Sequence, residues 1–163
     1  MQKMFISKLF PLALGLLVFL VGCQSVSLAP TKENLTFIDT QNFDTEFAAS
    51  LANNKAPVSV DFYSTVTPNQ IPPRLEKWMA LAETNGGKIS VTQPPGEMAP
   101  KDPLLLLGLF TGLWDLIGRV RGEHSSYSMD EAIKNRNVNI NLARNSQGGL
   151  YIEKVVFTPK ATN

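Results

Sequence analysis

The chain has 163 residues, with 15 Lys and Arg against 14 Asp and Glu and a formal net charge of +1. That length suits one ordinary domain, and the balanced charge, with no basic block, excludes the electrostatic footprint of nucleic-acid binding. One cysteine, Cys23, and one histidine, His124, exclude an intrachain disulfide and leave no ligand set with the spacing of a metal site.

The chain starts with a short positive region, Lys3 and Lys8, without an acidic residue. An apolar run follows from Leu9 to Leu20, interrupted only by Pro11 and Gly15. About twelve residues of helix span ~18 Å, well short of a ~30 Å hydrocarbon core. A charged start, a short apolar middle and small residues at the end have the form of a secretory signal peptide. The end of the run, Leu20-Val21-Gly22-Cys23, resembles the lipobox of bacterial lipoproteins. The resemblance implies that the Cys23 sulfur carries a diacylglyceryl group, that residues 1–22 are removed, and that the new terminus is acylated. Two or more acyl chains anchor stably, at ~0.8 kcal/mol per buried CH₂. Gln24 is not the aspartate that retains such proteins in the inner membrane. The implied location is therefore the outer membrane, facing the periplasm, with the periplasmic side of the inner membrane as the alternative. A product starting at Cys23 has no free thiol, and loss of Lys3 and Lys8 leaves 13 basic against 14 acidic residues. Its fold must hold by its core.

Gln24 to Thr36 is polar, contains Pro30 and lacks apolar periodicity, so 23–36 is expected to be a lipidated tether of up to ~40 Å. The single domain is expected over 37–163. Phe43, Phe47 and Leu51 recur every four residues and predict a short amphipathic helix closed by Asn53-Asn54. Val58, Val60 and Phe62 alternate and predict a strand. Pro72-Pro73 suits a helix start. Leu75, Trp78, Met79 and Ala82 make its stripe, and Gly86-Gly87 its stop. Ile89 and Val91 mark a second strand, parallel to the first. Asp102-Pro103 starts an apolar helix to about Arg121. Ser128 and Glu131 have capping-box spacing and predict a short helix between Glu123 and Asn135. Val138, Ile140 and Leu142 alternate with Asn137, Asn139 and Asn141. A turn at Asn145 to Gly149 then leads into Leu150–Thr158, giving a hairpin. The inward face of that last strand is undecided, because Leu150, Ile152 and Val156 compete with Tyr151, Val155 and Phe157. The order implies an α+β two-layer sandwich: a small mixed sheet with a C-terminal hairpin, packed against two or three helices.

Three stretches invite a functional reading. In the helix that contains Leu104–Gly118, the residues Gly108, Thr111, Gly112, Asp115 and Arg119 fall on one face, and Leu113 and Trp114 on the apolar remainder. The helix is open to three readings: core, a surface meeting a partner or lipid, or a transmembrane span. Fifteen residues reach only ~22 Å, and Asp115 in a bilayer would add ~2.5 kcal/mol or more. Gly108 and Gly112 have the spacing of a membrane helix-pairing motif. The row Asn137, Asn139, Asn141 is either a solvated sheet face or a ladder of amide groups for a glycan or peptide, since asparagine is depleted in strands. His124 lies beside Ser125, Ser126 and Tyr127, but sequence neighbours do not converge as a triad must. No catalytic set, metal site or cofactor is expected.

Val60-Asp61-Phe62-Tyr63-Ser64, a helix, and Lys88-Ile89-Ser90-Val91 resemble the start of the OmpA-like peptidoglycan-binding domain, also a periplasmic and often lipid-anchored module. Thr92-Gln93-Pro94-Pro95 stands where that family has a Gly-His-Thr-Asp type turn, and its stem-peptide-binding Asp and Arg have no counterpart, so no binding residue is carried over. The sequence as a whole reads as a lipid-anchored envelope protein with a non-enzymatic binding or scaffolding role, its partners the membrane through Cys23 and an envelope protein, or peptidoglycan in the alternative.

Overall fold

The computed structural model describes residues 31–93 and 127–161, together with Gly108, Phe110 and Gly118. It is an α+β two-layer structure, a five-stranded sheet with helices on one face. The first strand, β1 (Asn34–Thr36), leads into helix α1 (Gln41–Asn53) and strand β2 (Val58–Val66). A 3-10 turn at Pro68–Gln70 precedes helix α2 (Pro73–Thr84) and strand β3 (Ile89–Thr92). Helix α3 (Tyr127–Ile133) then leads into the hairpin of β4 (Arg136–Arg144) and β5 (Leu150–Pro159). The sheet order is β1-β2-β5-β4-β3. β1 runs parallel to β2 and β3 parallel to β4, while β5 is antiparallel to both of its neighbours. β2 and β3 are thus parallel, as expected for strands joined through a helix, although β5 and β4 lie between them.

Alternation builds the core. Leu35, Val60, Val155, Ile140 and Val91 are register partners across all five strands, and Val58, Phe157, Val138 and Ile89 form the next row. Phe43, Phe47 and Leu51 of α1 and Leu75, Trp78, Met79 and Ala82 of α2 are buried over these rows, as their spacing predicts. Phe47 meets Trp78 and Phe157 edge-on, with ring centroids 4.9 Å apart in each pair. Such aromatic pairs contribute ~0.5–1.5 kcal/mol beyond area burial.

Local chemistry explains the element ends. Thr40 caps α1, its Oγ1 accepting from the Phe43 N–H at 3.4 Å. After α2, Gly87 N–H donates to Ala82 O and Gly86 N–H to Glu83 O, the paired bonds of a Schellman stop, with Gly86 at φ +84°. A Cβ on Gly87 would lie 2.0 Å from Arg136 O, so only glycine lets α2 end against β4. The hairpin turn is an Asx turn: Asn145 Oδ1 accepts from the N–H groups of Gln147 and Gly149.

Four expectations need correction. Residues 34–36, read as tether, form β1. Lys32 and Glu33 are also tied to the domain, through Lys32 N–H to Ser50 Oγ at 3.1 Å and Ser59 N–H to Glu33 O at 2.7 Å. A three-residue edge strand is too short to show a period. Ser128 lies inside α3, which is already helical at Tyr127, so it is not the cap. The undecided face of β5 has a cause: Asn141 pairs with Lys154 but Leu142 with Ile152. Glu153 is therefore an extra residue, a β-bulge that flips the side-chain phase. Ile152 points inward before it, Val155 and Phe157 after it. Finally, Gly108 sits in a turn and Phe110 in irregular backbone, so one continuous helix over 104–121 does not form. Glycine within a helix costs ~1 kcal/mol relative to alanine, in keeping with the turn at Gly108. Gly118 is helical; Leu113, Trp114 and Asp115 lie outside the described residues.

Phe110 is 1% exposed and belongs to the core cluster. Phe110→Ala is expected to destabilise the domain by ~3–5 kcal/mol, read as a lowered urea midpoint for residues 24–163.

Candidate functional site

With every described helix on one side, the other side of the sheet is covered by no described element, and its chemistry is polar. Asn34, Ser59, Val156, Asn139 and Ser90 form one row across the five strands, and Thr36, Asp61, Lys154, Asn141 and Thr92 the next. The asparagine row predicted from sequence lies on this face, with Asn137, Asn139 and Asn141 half-buried. Two of the three amides have structural work. Asn137 Oδ1 accepts from Lys88 N–H at 3.0 Å, and Asn139 Oδ1 from Thr92 Oγ1 at 3.0 Å. Both bonds fasten edge strand β3, which explains asparagine at strand positions that disfavour it. Asn141 stands opposite Lys154, beside the bulge.

The bulge shapes the carboxyl end of β2. Asp61 pairs with Lys154 and Val66 with Ile152, so Phe62 to Thr65 face the single residue Glu153. β1 ends its pairing at Asp61, and neither neighbouring strand offers these four residues a ladder partner. Phe62 packs against the core, while Tyr63 is 79% exposed. Tyr151 pairs with Ala143, which puts its side chain on the open face too. A cleft of about 330 Å³ lies here, lined by Phe62, Tyr63, Ser64, Thr65, Tyr151 and Glu153, with Ile152 at its base. Sequence reasoning passed over Tyr63, although the signal existed: with Val58, Val60 and Phe62 inward, alternation puts an aromatic ring outward.

A larger cleft, about 690 Å³, lies at the opposite end of the parallel strands, where Lys55, Lys134, Arg136 and Lys160 gather with Glu131. Its positive charge is explained by helix ends. None of the three described helices, α1 to α3, has a basic residue in its own last turn. Cations from elsewhere serve their carbonyl ends instead. Arg136, 5% exposed, donates through Nη2 to Leu51 O and to Asn54 O (2.6 Å), at the end of α1, and through Nη1 to Phe157 O at 3.3 Å. Lys160 Nζ donates to Gly86 O at 2.9 Å, just past α2. Lys134 follows α3 directly and pairs with Glu131 at 2.7 Å. Burial lowers the Arg136 pKa below its ordinary value, and the three carbonyls keep its charge solvated. The cleft is thus a junction of helix carbonyl ends, where Arg136 and Lys160 are already engaged by main-chain carbonyls.

A third feature joins the helix starts. Arg74 bridges Asp39 (2.6 Å from Nε) and Asp44, while Asp44 Oδ1 accepts from Trp78 Nε1 at 2.8 Å. The hydrogen bond to Asp39, then the neighbouring Asp44 charge, raises the Arg74 pKa against some desolvation. The network orients Trp78 in the core.

Among the described residues no group of three or more His, Cys, Asp and Glu could hold a metal ion, and no helix is long and apolar enough to cross a membrane. Cys23 and His124 lie outside the described residues. Comparison with family models, curated proteins and solved structures finds no match.

Arg136→Met is expected to lower stability by on the order of 3 kcal/mol, because three buried carbonyls lose a charged donor. Arg136→Lys, with one nitrogen centre, should recover part of the loss. Chemical denaturation of residues 24–163 measures both.

Proposed function

We propose that the protein is a lipid-anchored component of the bacterial envelope, held by acyl chains at Cys23 on the periplasmic face of the outer membrane, with a non-enzymatic binding or scaffolding role. The observation that carries this reading is Leu20-Val21-Gly22-Cys23, placed directly behind a charged start and an apolar run too short to span a bilayer. The anchor leaves eight residues, 24–31, between Cys23 and the first residue tied to the domain, Lys32. That is a reach of roughly 30 Å at most. The domain therefore works close to the membrane, on whatever the periplasm presents there.

A second reading, binding to peptidoglycan or another cell-wall glycan, is favoured by the open sheet face. Its rows of amide, hydroxyl and carboxylate groups offer both donors and acceptors, and carry no basic cluster for a polyanion. Lipid-free protein that sediments with purified cell-wall sacculi supports the glycan reading. In-cell crosslinking to an envelope protein, without sedimentation, supports scaffolding.

Cys23→Ala is expected to leave the precursor unlipidated and remove the domain from the membrane fraction, as followed by fractionation and immunoblotting. Wild-type protein is expected at the density of the outer membrane, and Gln24→Asp to move it toward the inner. Recovery of Cys23→Ala in the membrane at mature size contradicts the anchor.

A further inference from the structure

We infer that the bulge cleft at the carboxyl end of β2 is a carbohydrate-binding site, in which Tyr63 and Tyr151 flank an uncharged pyranose ring and Glu153, Ser64 and Thr65 hydrogen-bond its hydroxyl groups. The inference rests on the glycan reading above and names the place where that binding occurs.

Four observations converge on it. Tyr63 is 79% exposed, on a strand whose other large apolar residues are buried or packed on the core. A tyrosine held out of the core joins an apolar ring to a polar tip, which suits a partner having both kinds of surface. A pyranose is such a partner, with C–H groups on its faces and hydroxyls around its edge. Tyr151 brings a second ring to the same cleft. The backbone from Phe62 to Thr65 has no register partner on β1 or β5, so the regular pairing of the sheet is interrupted beside the rings. Finally, the position fits the topology: in sheets with parallel strands and helical crossovers, ligands bind beyond the carboxyl ends of the strands. All four parallel strands run toward this end.

Charge and size select the ligand class. The lining holds the Glu153 carboxylate and four hydroxyl groups, those of Tyr63, Ser64, Thr65 and Tyr151, and no cation. An anionic phosphate or phosphopeptide would meet a like charge there. The volume, about 330 Å³, sits at the small end of ligand pockets and suits a ring-sized group better than a protein side chain cluster. Bulges recur next to active sites, where they interrupt the ladder locally and re-aim a side chain. Glu153 does so here: as the extra residue of β5 it is left out of the ladder and exposed.

The test uses the full-length lipidated protein in detergent, titrated with a soluble β-1,4-linked N-acetylglucosamine tetrasaccharide and followed by calorimetry. Tyr63 is exposed, so Tyr63→Ala should leave the melting temperature unchanged, yet weaken binding about tenfold. Glu153→Gln should weaken it as well, and Lys55→Ala, at the opposite end of the sheet, should leave it intact. Saccharide and sacculus binding that Tyr63→Ala leaves unchanged overturns this site while the glycan reading stands. No binding of either saccharide or sacculi overturns both. A photo-crosslinker at position 63 that captures an envelope protein rather than cell-wall glycan also overturns the inference, in favour of a protein partner.

Discussion

Arg136 holds together what the rest of the architecture separates. It is the first residue of β4, yet its guanidinium reaches Leu51 O and Asn54 O at the end of α1 and Phe157 O on β5. Its own carbonyl lies against Gly87, where no side chain fits. One residue thereby fixes the end of α1, the approach of α2 and the alignment of the hairpin. A buried arginine without a carboxylate would be costly if its donors were unmet. Here helix carbonyls, partly negative at the C-terminus, solvate the charge. The same principle recurs with Lys160 at Gly86 O, so the helix layer is tied to the sheet through cations from the strands rather than from the helices.

That arrangement gives the two ends of the sheet different chemistry. The helix carbonyl ends and their cations gather where the parallel strands begin. The other end is freer: β1 stops at Thr36, β5 bulges at Glu153, and β2 continues with Tyr63 exposed. All described helices lie on one face, and no described element covers the polar rows of the other. The proposed role, a binding domain on a short tether, would use such a division, with one side given to cohesion and one to contact.

Much of the fold was legible in the sequence. The four-residue spacing of Phe43, Phe47 and Leu51, the stripe from Leu75 to Ala82 and the alternation from Val138 to Leu142 each report which residues face the core, and the structure buries them. The failures have physical causes. β5 looked contradictory because a bulge changes its phase between Ile152 and Val155, and a single period cannot describe it. β1 was missed because three residues carry no period; its pairing with β2 is decided by tertiary contact. Hydrophobicity alone suggested an unbroken helix through Gly108, where backbone preference interrupts it. Arg136 was invisible because its partners are main-chain carbonyls far away in sequence, 85 residues away for Leu51. The asparagine row lies on the outward side of β4, as its alternation predicts, but two of its members fasten β3.

The proposed function stands on the anchor, because a tether from Cys23 would set what the domain can reach. Mass spectrometry of the amino-terminal peptide of the mature protein tests it most directly. The account predicts a peptide that begins at Cys23 and carries the mass of a diacylglyceryl group, with an additional acyl chain on the amine. A terminus at another residue, or Cys23 retained as a free thiol within a longer chain, would contradict it.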